Sequence, residues 1–199
     1  MSSRTLVTLA LLLLVPSCTD DDPIANQISE LQGRWVSADC EDVGGGFYVI
    51  RRFTIAGTSW SDDGTVYHDA ACATAAFDFS NAGELAVLGE SQVVPGAFES
   101  DFGESTKTLT MRDPAIVGFL NSQPAGTCGA APWAVDQTQD ITTTGCQTFG
   151  QQPITTCPRE YDLTEVSADS LYLGDRTPPN DLCTARPQQL TAAPVVRVM

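Results

Sequence analysis

The sequence has little positive charge. Ten lysine and arginine residues stand against 25 aspartate and glutamate residues, and Lys107 is the only lysine. Nucleic-acid binding depends on basic surface that neutralises phosphates, so we predict no nucleic-acid partner. Spontaneous adhesion to anionic lipid headgroups is disfavoured for the same reason.

Histidine is scarcer still, since His68 is the only one. A Ser-His-Asp triad would have to use it, but no Gly-x-Ser-x-Gly motif occurs, and Asp69 would point to the opposite face of a strand. The sequence also has no C-x-x-C pair, phosphate-binding loop or dinucleotide fingerprint. We therefore predict a protein that is not an enzyme and holds no metal or cofactor. Carboxylates are plentiful, so a hydrolase with a converging carboxylate pair is the alternative.

The N-terminus has the features of an export signal. Leu6 to Val15 is a run of about ten mostly apolar residues, too short to cross a hydrocarbon core of roughly 30 Å as a helix. The following Val15-Pro16-Ser17-Cys18 resembles the lipobox of bacterial lipoproteins. This predicts a signal peptide at residues 1–17 and attachment of lipid, such as palmitate, to Cys18. Ordinary cleavage before Cys18, leaving a free thiol, is the alternative.

The tether and the folded domain follow. Residues 18–30 are acidic and predict a solvated tether, and residues 31–199 predict a single domain. In lipoproteins of enteric bacteria, a residue such as Thr19 after the acylated cysteine resembles the pattern sent to the outer membrane. No second long hydrophobic run occurs. We therefore predict a protein of the bacterial cell envelope, anchored to the outer membrane by lipid alone.

The remaining cysteines predict a cross-linked domain. An even set in an exported protein favours three disulfides. Six cysteines allow fifteen pairings, and the sequence by itself does not choose among them. The six are Cys40, Cys72, Cys128, Cys146, Cys157 and Cys183.

Short strands dominate the predicted secondary structure. Phe47–Ile55 is the clearest, and its alternation puts Phe47, Val49, Arg51, Phe53 and Ile55 on one face. Turns are predicted where small and polar residues cluster. About nine short strands without βα alternation indicate an all-β fold, either an antiparallel barrel or a sandwich. The predicted turns include 44–46, 61–64, 81–83 and 103–105.

One short helix is predicted within this β pattern. Asp113 is a favourable N-cap and Pro114 occupies the first helical position. The apolar residues that follow recur at helical spacing up to Leu120, and Pro124 prevents much extension.

Several motifs, taken in order, resemble the repeat domain of the adenomatosis polyposis coli down-regulated family. Each motif alone is weak, but their order and spacing cover nearly the whole predicted domain. They are Leu31-x-Gly33-x-Trp35-Val36-Ser37-x-x-Cys40-Glu41, Tyr67-x-Asp69-x-x-Cys72, Asp113 to Asn121, Cys128-Gly129-Ala130-x-x-Trp133-x-Val135, Gln139-Asp140-x-Thr142-x-x-x-Cys146, Tyr172-Leu173-Gly174 and Arg186-Pro187.

The resemblance implies a lipocalin-like β-barrel with an apolar pocket. The animal members are membrane-tethered inhibitors of Wnt signalling, and their pocket is credited with taking up the lipid on Wnt. They carry two such domains and a C-terminal membrane span, whereas this chain has one domain and a predicted N-terminal anchor. A bacterium makes no Wnt ligand, so Wnt binding is not carried over. The resemblance also suggests the pairs Cys40–Cys72 and Cys128–Cys146, which leaves Cys157 and Cys183 for each other.

An enclosed apolar cavity is the property that the resemblance transfers to this chain. The alternative for aromatic residues in strands is an ordinary filled core. The candidate lining residues are Trp35, Phe47, Phe53, Trp60, Phe77 and Phe79.

Arg51 is the charged residue on the predicted inner face. A buried guanidinium must be paired, and Glu41, Asp69 and Asp140 are the candidate partners because they occupy positions that match the family. An internal ion pair is favoured over a ligand carboxylate, since most buried charges are satisfied internally.

The predicted function is that of a membrane-anchored, non-catalytic envelope lipoprotein whose barrel binds an apolar or lipidic ligand. The alternative is an envelope structural or protein-interaction module with a filled core and no small ligand. The protein partner stays unassigned in both cases.

Overall fold

The computed structural model describes residues 22–177 and 180–198, and the chain there forms a closed antiparallel barrel of eight strands. The ring closes because the first strand, β1 (Gly33–Ser37), pairs with β10 (Val195–Arg197) on one side and with β3 (Phe47–Ala56) on the other. This confirms the predicted all-β barrel. The barrel strands are β1 (Gly33–Ser37), β3 (Phe47–Ala56), β4 (Ser59–Tyr67), β5 (Ala75–Glu90), β6 (Phe98–Met111), β8 (Arg159–Ser167), β9 (Ser170–Leu173) and β10 (Val195–Arg197).

Two further strands extend the sheet without joining the ring. The strand β2 (Glu41–Gly44) pairs with the start of β3, and β7 (Thr138–Asp140) pairs with the end of β6. A 3-10 turn at Gln147–Phe149 follows β7. Both extra strands pair with parts of β3 and β6 that extend beyond the segments paired with β1 and β8.

Three predicted turns are wrong, because the residues concerned lie inside long strands. Residues 61–64 belong to β4, 81–83 to β5 and 103–105 to β6. The polar residues there alternate between the barrel interior and the solvent instead of bending the chain. Gly83 allows β5 and β6 to approach each other closely, because a Cβ on it would lie 1.8 Å from the carbonyl oxygen of Gly103.

The described part of the chain contains two α-helices, where the sequence predicted one. The predicted helix is α2 (Pro114–Ser122), and the Asp113 carboxylate accepts a hydrogen bond from the Ala115 amide at 2.7 Å. The additional helix is α1 (Pro23–Leu31), and all of it except Leu31 falls in the segment predicted to be a solvated tether. Its Leu31 is fully buried.

Contacts with the barrel explain why α1 is not a solvated tether. Gln27 is buried, and its amide donates to the Thr164 hydroxyl at 3.3 Å. Trp35 donates its indole N–H to the Leu31 carbonyl at 2.9 Å. The folded part of the chain therefore includes α1 and its N-cap Asp22, about nine residues before the predicted start of the domain.

Two apolar clusters fill the two ends of the barrel. The closed-end cluster lies next to α1, and its members are Leu31, Trp35, Phe53, Ile55, Trp60, Leu85, Phe102, Leu171, Leu173 and Val195. The cluster at the α2 end includes Val49, Val66, Phe77, Leu109, Met111, Ile116, Leu120, Trp133 and Ile141.

Three disulfides are formed: two match the pairs that the family resemblance suggested, and the third joins the two cysteines that remained. They are Cys40–Cys72, Cys128–Cys146 and Cys157–Cys183. Within residues 22–177 and 180–198, no helix is long and apolar enough to cross a membrane. The predicted signal peptide and Cys18 lie outside the described residues.

Candidate functional site

A cavity of about 1160 Å³ lies inside the barrel and borders both apolar clusters. The inner faces of β3, β4, β5 and β6 form much of its wall. Five of the six aromatic residues predicted for a pocket line it, namely Phe47, Phe53, Trp60, Phe77 and Phe79.

Trp35 is the sixth predicted residue, and it does not line the cavity. It is 1% exposed within the closed-end cluster, and the guanidinium of Arg197 lies 4.1 Å from its ring centroid. Trp35 therefore fills the end of the barrel and belongs to the ordinary core.

A glycine on β4 makes room for one of the lining rings. Gly64 lies directly opposite Phe79 in the register of β4 and β5. A Cβ on Gly64 would lie 2.2 Å from the Phe79 ring, so only glycine permits this ring position.

Three lining aromatics were missed from the sequence, namely Phe102, Phe119 and Phe149. Phe102 packs edge-on against Trp60, with ring centroids 5.1 Å apart, and Phe149 stacks on Phe77 at 4.2 Å. The inward position of Phe102 follows from alternation once β6 is recognised as one continuous strand. Phe149 lies in the turn-rich region after β7, where no periodicity pointed to it.

Polar side chains cross the middle of the cavity wall. We call Asp62, Asn81, Glu104 and Glu160 the polar belt; all four line the cavity. Asp62 faces Asn81 across β4 and β5 in the strand register. The polar belt was missed because three of its members fall in or beside segments predicted as turns or strand ends.

Arg51 forms the ion pair expected for it, with one of its three candidate partners. Its Nη2 lies 2.5 Å from Glu41 Oε2, and both side chains are nearly buried, at 13% and 11% exposure. Glu41 also accepts a hydrogen bond from the Ser37 hydroxyl, which in turn accepts one from the Arg51 amide. Internal pairing therefore satisfies this guanidinium, although Arg51 and Glu41 both border the cavity.

The other two candidate partners do not contact Arg51 and serve local backbone turns. Asp69 accepts hydrogen bonds from the Thr74 and Ala73 amides, and these bonds lower its pKa. Asp140 lies close to the Thr142 hydroxyl and accepts a hydrogen bond from the Thr142 amide at 2.7 Å, which lowers its pKa as well.

Asp62 is a buried carboxyl group with an unsatisfied oxygen. Its side chain projects from the inner face of β4, and the residue is 8% exposed. Oδ1 finds no hydrogen-bond donor in the described part of the chain. Burial raises the pKa of Asp62 to about 7, although Arg51 and Arg176 act in the opposite direction. Asp62 is therefore only partly ionised at neutral pH.

Glu104 resembles Asp62 in its surroundings. Its side chain is 1% exposed, and Lys107 Nζ lies 3.2 Å from Oε1, although the two groups are not aligned as a hydrogen bond. Burial raises the pKa of Glu104 to about 7, and the nearby lysine limits that rise.

The second guanidinium at the cavity, that of Arg176, is also paired with carboxylates of the protein. Arg176 lies 2.7 Å from Glu160 and 2.7 Å from Asp162, and Asp162 is fully buried. Asp162 also accepts hydrogen bonds from the Leu163 and Gly174 amides.

The single histidine lies at the cavity wall near α2. His68 Nε2 is 2.9 Å from Asp113 Oδ2, and its ring lies 5.4 Å from the Phe47 ring. Asp113 also caps α2, so this contact joins the β4–β5 loop to the helix. Asp69, its neighbour in sequence, is engaged with the loop backbone and makes no pair with it.

A protein-family model described as Adenomatosis polyposis coli down-regulated 1 matches residues 16–178. The chain belongs to this family. The match to the adenomatosis polyposis coli down-regulated family runs from before α1 to beyond β9, so it includes most of the cavity wall. The strand β10, which completes the ring of this family member, lies beyond the matched residues. Family and barrel together are consistent with a non-catalytic binding domain.

Proposed function

We propose that this family member is a membrane-anchored, non-catalytic envelope lipoprotein whose barrel binds an apolar or lipidic ligand. The observation that supports the proposal is the aromatic-lined cavity of about 1160 Å³. Small-molecule sites in proteins are concave, mainly apolar and typically about 300–1,000 Å³ in volume.

The cavity argues against the alternative of a structural module with a filled core. Protein interiors are close-packed, and few of their voids exceed the size of a water molecule. Exposed apolar side chains also border the cavity: Val43 is 56% exposed and Phe119 is 51% exposed. These two residues, on β2 and α2, offer an apolar route for a ligand between solvent and interior.

Binding of a neutral apolar fluorophore, N-phenyl-1-naphthylamine, tests this function. We expect saturable fluorescence enhancement with the native chain and at least a tenfold loss of affinity in Phe79→Lys. Leu88→Lys is the matched control, because Leu88 lies on the same strand but is 51% exposed and outside the cavity wall.

Thermal melting of each variant checks that it has folded. A folded Phe79→Lys protein that binds the dye like the native chain would contradict binding inside the barrel. A native chain that neither binds the dye nor co-purifies with lipid in native mass spectrometry would support the filled structural module.

The proposed anchor is the lipid on Cys18. Because α1 begins at Pro23 and packs at the closed end, only about four residues separate that end from Cys18. Four extended residues span at most about 14 Å, so the closed end would lie near the bilayer and the α2 end farther from it.

Metabolic labelling with a palmitate analogue, followed by membrane fractionation, tests the anchor. We expect label and membrane association in the native chain and neither in Cys18→Ser. Label retained by Cys18→Ser would refute this attachment site without affecting ligand binding by the barrel.

A further inference from the structure

Hydrogen-bond acceptors exceed donors in the polar belt. Asp62 Oδ1, Asn81 Oδ1 and both carboxylate oxygens of Glu104 are buried, and none has a hydrogen-bond partner within residues 22–177 and 180–198. All three residues line the cavity. A buried acceptor without a donor loses its hydrogen bonds to water and gains none in return, so such atoms are rarely left unsatisfied in a native protein.

The cations of the cavity do not supply the missing donors. The Arg51 guanidinium is held by Glu41 at 2.5 Å, and Arg176 is held by Glu160 and Asp162 at 2.7 Å each. Lys107 stands beside a single oxygen of Glu104 and does not line the cavity. The acceptors of Asp62 and Asn81 and the second carboxylate oxygen of Glu104 therefore remain for a molecule inside the barrel.

The cavity lining as a whole contains more acidic than basic side chains. Seven carboxylate residues line the cavity, against two arginines and one histidine. A carboxylate or phosphate group entering this space would meet repulsion, and both guanidiniums are already paired. A cation would meet attraction, strengthened by the low dielectric constant of the interior.

We propose that the polar belt binds the ammonium head of an amphiphile whose alkyl chain lies against the aromatic wall. This inference rests on the proposed ligand-binding function and specifies the chemical class of the ligand. An alkylammonium carries three N–H donors, which match the free acceptors of Asp62, Asn81 and Glu104. Charge-assisted hydrogen bonds of this kind are stronger than neutral ones.

The aromatic residues suit the same ligand. Phe53 lies opposite Asp62 in the register of β3 and β4, and Trp60 precedes Asp62 by two positions on the inner face of β4. An ammonium group near Asp62 would lie close to these rings, which attract cations through their π faces. The alkyl chain would then extend along the apolar wall toward Phe77.

Three twelve-carbon amphiphiles, used below their micellar concentrations at pH 7.5, test the proposal. Dodecylammonium has charge and N–H donors, dodecyltrimethylammonium has charge without donors, and dodecanoate has the opposite charge. Isothermal titration calorimetry should give dodecylammonium at least a tenfold higher affinity than dodecanoate, with the trimethylammonium compound in between.

Two variants assign the selectivity to the polar belt. Asp62→Asn and Glu104→Gln each remove a charge while preserving the side-chain shape, and each should lower the dodecylammonium-to-dodecanoate affinity ratio at least tenfold. Asp63→Asn is the matched control, because Asp63 is exposed on the opposite face of β4 and accepts a hydrogen bond from Ser80. That control should keep the native ratio.

The outcomes separate this inference from the proposed function. Equal affinities for the three amphiphiles, a preference for dodecanoate, or native selectivity in both folded belt variants would overturn the ammonium proposal. Continued binding of N-phenyl-1-naphthylamine would then leave the apolar-ligand function intact. Failure of the native chain to bind either the neutral dye or dodecylammonium would overturn both.

Discussion

Replacing Asp62 with asparagine should change how the stability of the ligand-free protein depends on pH. Burial raises the pKa of Asp62 from 3.8 to about 7 in the folded protein. Between these values the folded state holds a proton that the unfolded state has lost. The unfolded state therefore binds fewer protons, and the free energy of unfolding falls as pH rises.

The magnitude follows from the size of the pKa shift. One unit of pKa corresponds to about 1.4 kcal/mol, so Asp62 alone would remove as much as about 4 kcal/mol between pH 4 and pH 7. Its contribution is fully present below pH 4 and is lost by about pH 7. Arg51 and Arg176 oppose the rise in pKa, while Glu160 and Asp63 add to it.

Other carboxyl groups affect a different pH range. Hydrogen bonds lower the pKa values of Asp69, Asp140 and Asp175, so these groups stabilise the folded state above their unfolded pKa and lose that effect on acidification. Their contributions change below about pH 4. Glu104 has a raised pKa and produces a second fall in stability in the same range as Asp62.

Urea denaturation at fixed ionic strength, followed by tryptophan fluorescence from pH 4.5 to pH 8, measures the effect. The native chain should lose stability as pH rises, with Asp62→Asn losing less and becoming the more stable protein at pH 8. Glu84→Gln, a change at an exposed carboxyl of β5, serves as the control and should parallel the native curve. Parallel curves for the native chain and Asp62→Asn would refute the argument that burial keeps this carboxyl protonated.

Three further predictions concern stability. Arg51→Leu leaves a nearly buried carboxylate unpaired and should cost about 2–4 kcal/mol in urea titrations; unchanged stability would exclude a structural ion pair. Gly64→Ala should lower the free energy of unfolding by about 1–3 kcal/mol, because its Cβ would overlap the Phe79 ring. Adding Phe79→Leu to the same chain should recover part of this loss, whereas additive losses would contradict the steric cause. Joint replacement of Cys157 and Cys183 by alanine should lower the free energy of unfolding by about 3 kcal/mol. A fall in melting temperature of less than about 2 °C would show that this cross-link contributes little to stability.

The inner face of β3 could be predicted because alternation alone determines it. Val49, Phe53 and Ile55 are buried as expected, while Arg52 and Thr54 point outward. Apolar residues with period two leave little choice about which face contacts the core. The helix α2 could be predicted equally well, because its N-cap and its first-turn proline are local signals.

The polar belt could not be predicted, because local composition gave the wrong answer there. Ser61-Asp62-Asp63-Gly64 has the residues of a turn, and propensity favours a turn when tertiary context is absent. In the barrel, hydrogen bonds from both neighbouring strands hold this segment extended. The interior position of Asp62 thus follows from pairing between β3, β4 and β5, which no local pattern contains.

The helix α1 was missed for a related reason. Its nine residues, PIANQISEL, contain few apolar residues, and the preceding aspartates indicate solvated chain. Short helices gain most of their stability from tertiary packing. The packing of Gln27 and Leu31 against the barrel supplies this stability. Several of the residues that they contact lie more than a hundred positions away in the sequence.

The pairing of β1 with β10 has a consequence for the order of folding. Trp35 is paired with Arg197, so the strand that begins the barrel completes its hydrogen bonding only after about 160 further residues have been synthesised. Contacts so distant in sequence form slowly, because loop closure costs entropy before the contact repays it. Until then one edge of β1 is open to pairing with other chains, which makes incompletely synthesised or truncated forms prone to aggregation. Removal of Val195–Arg197 should therefore affect yield and solubility more severely than the three lost residues suggest.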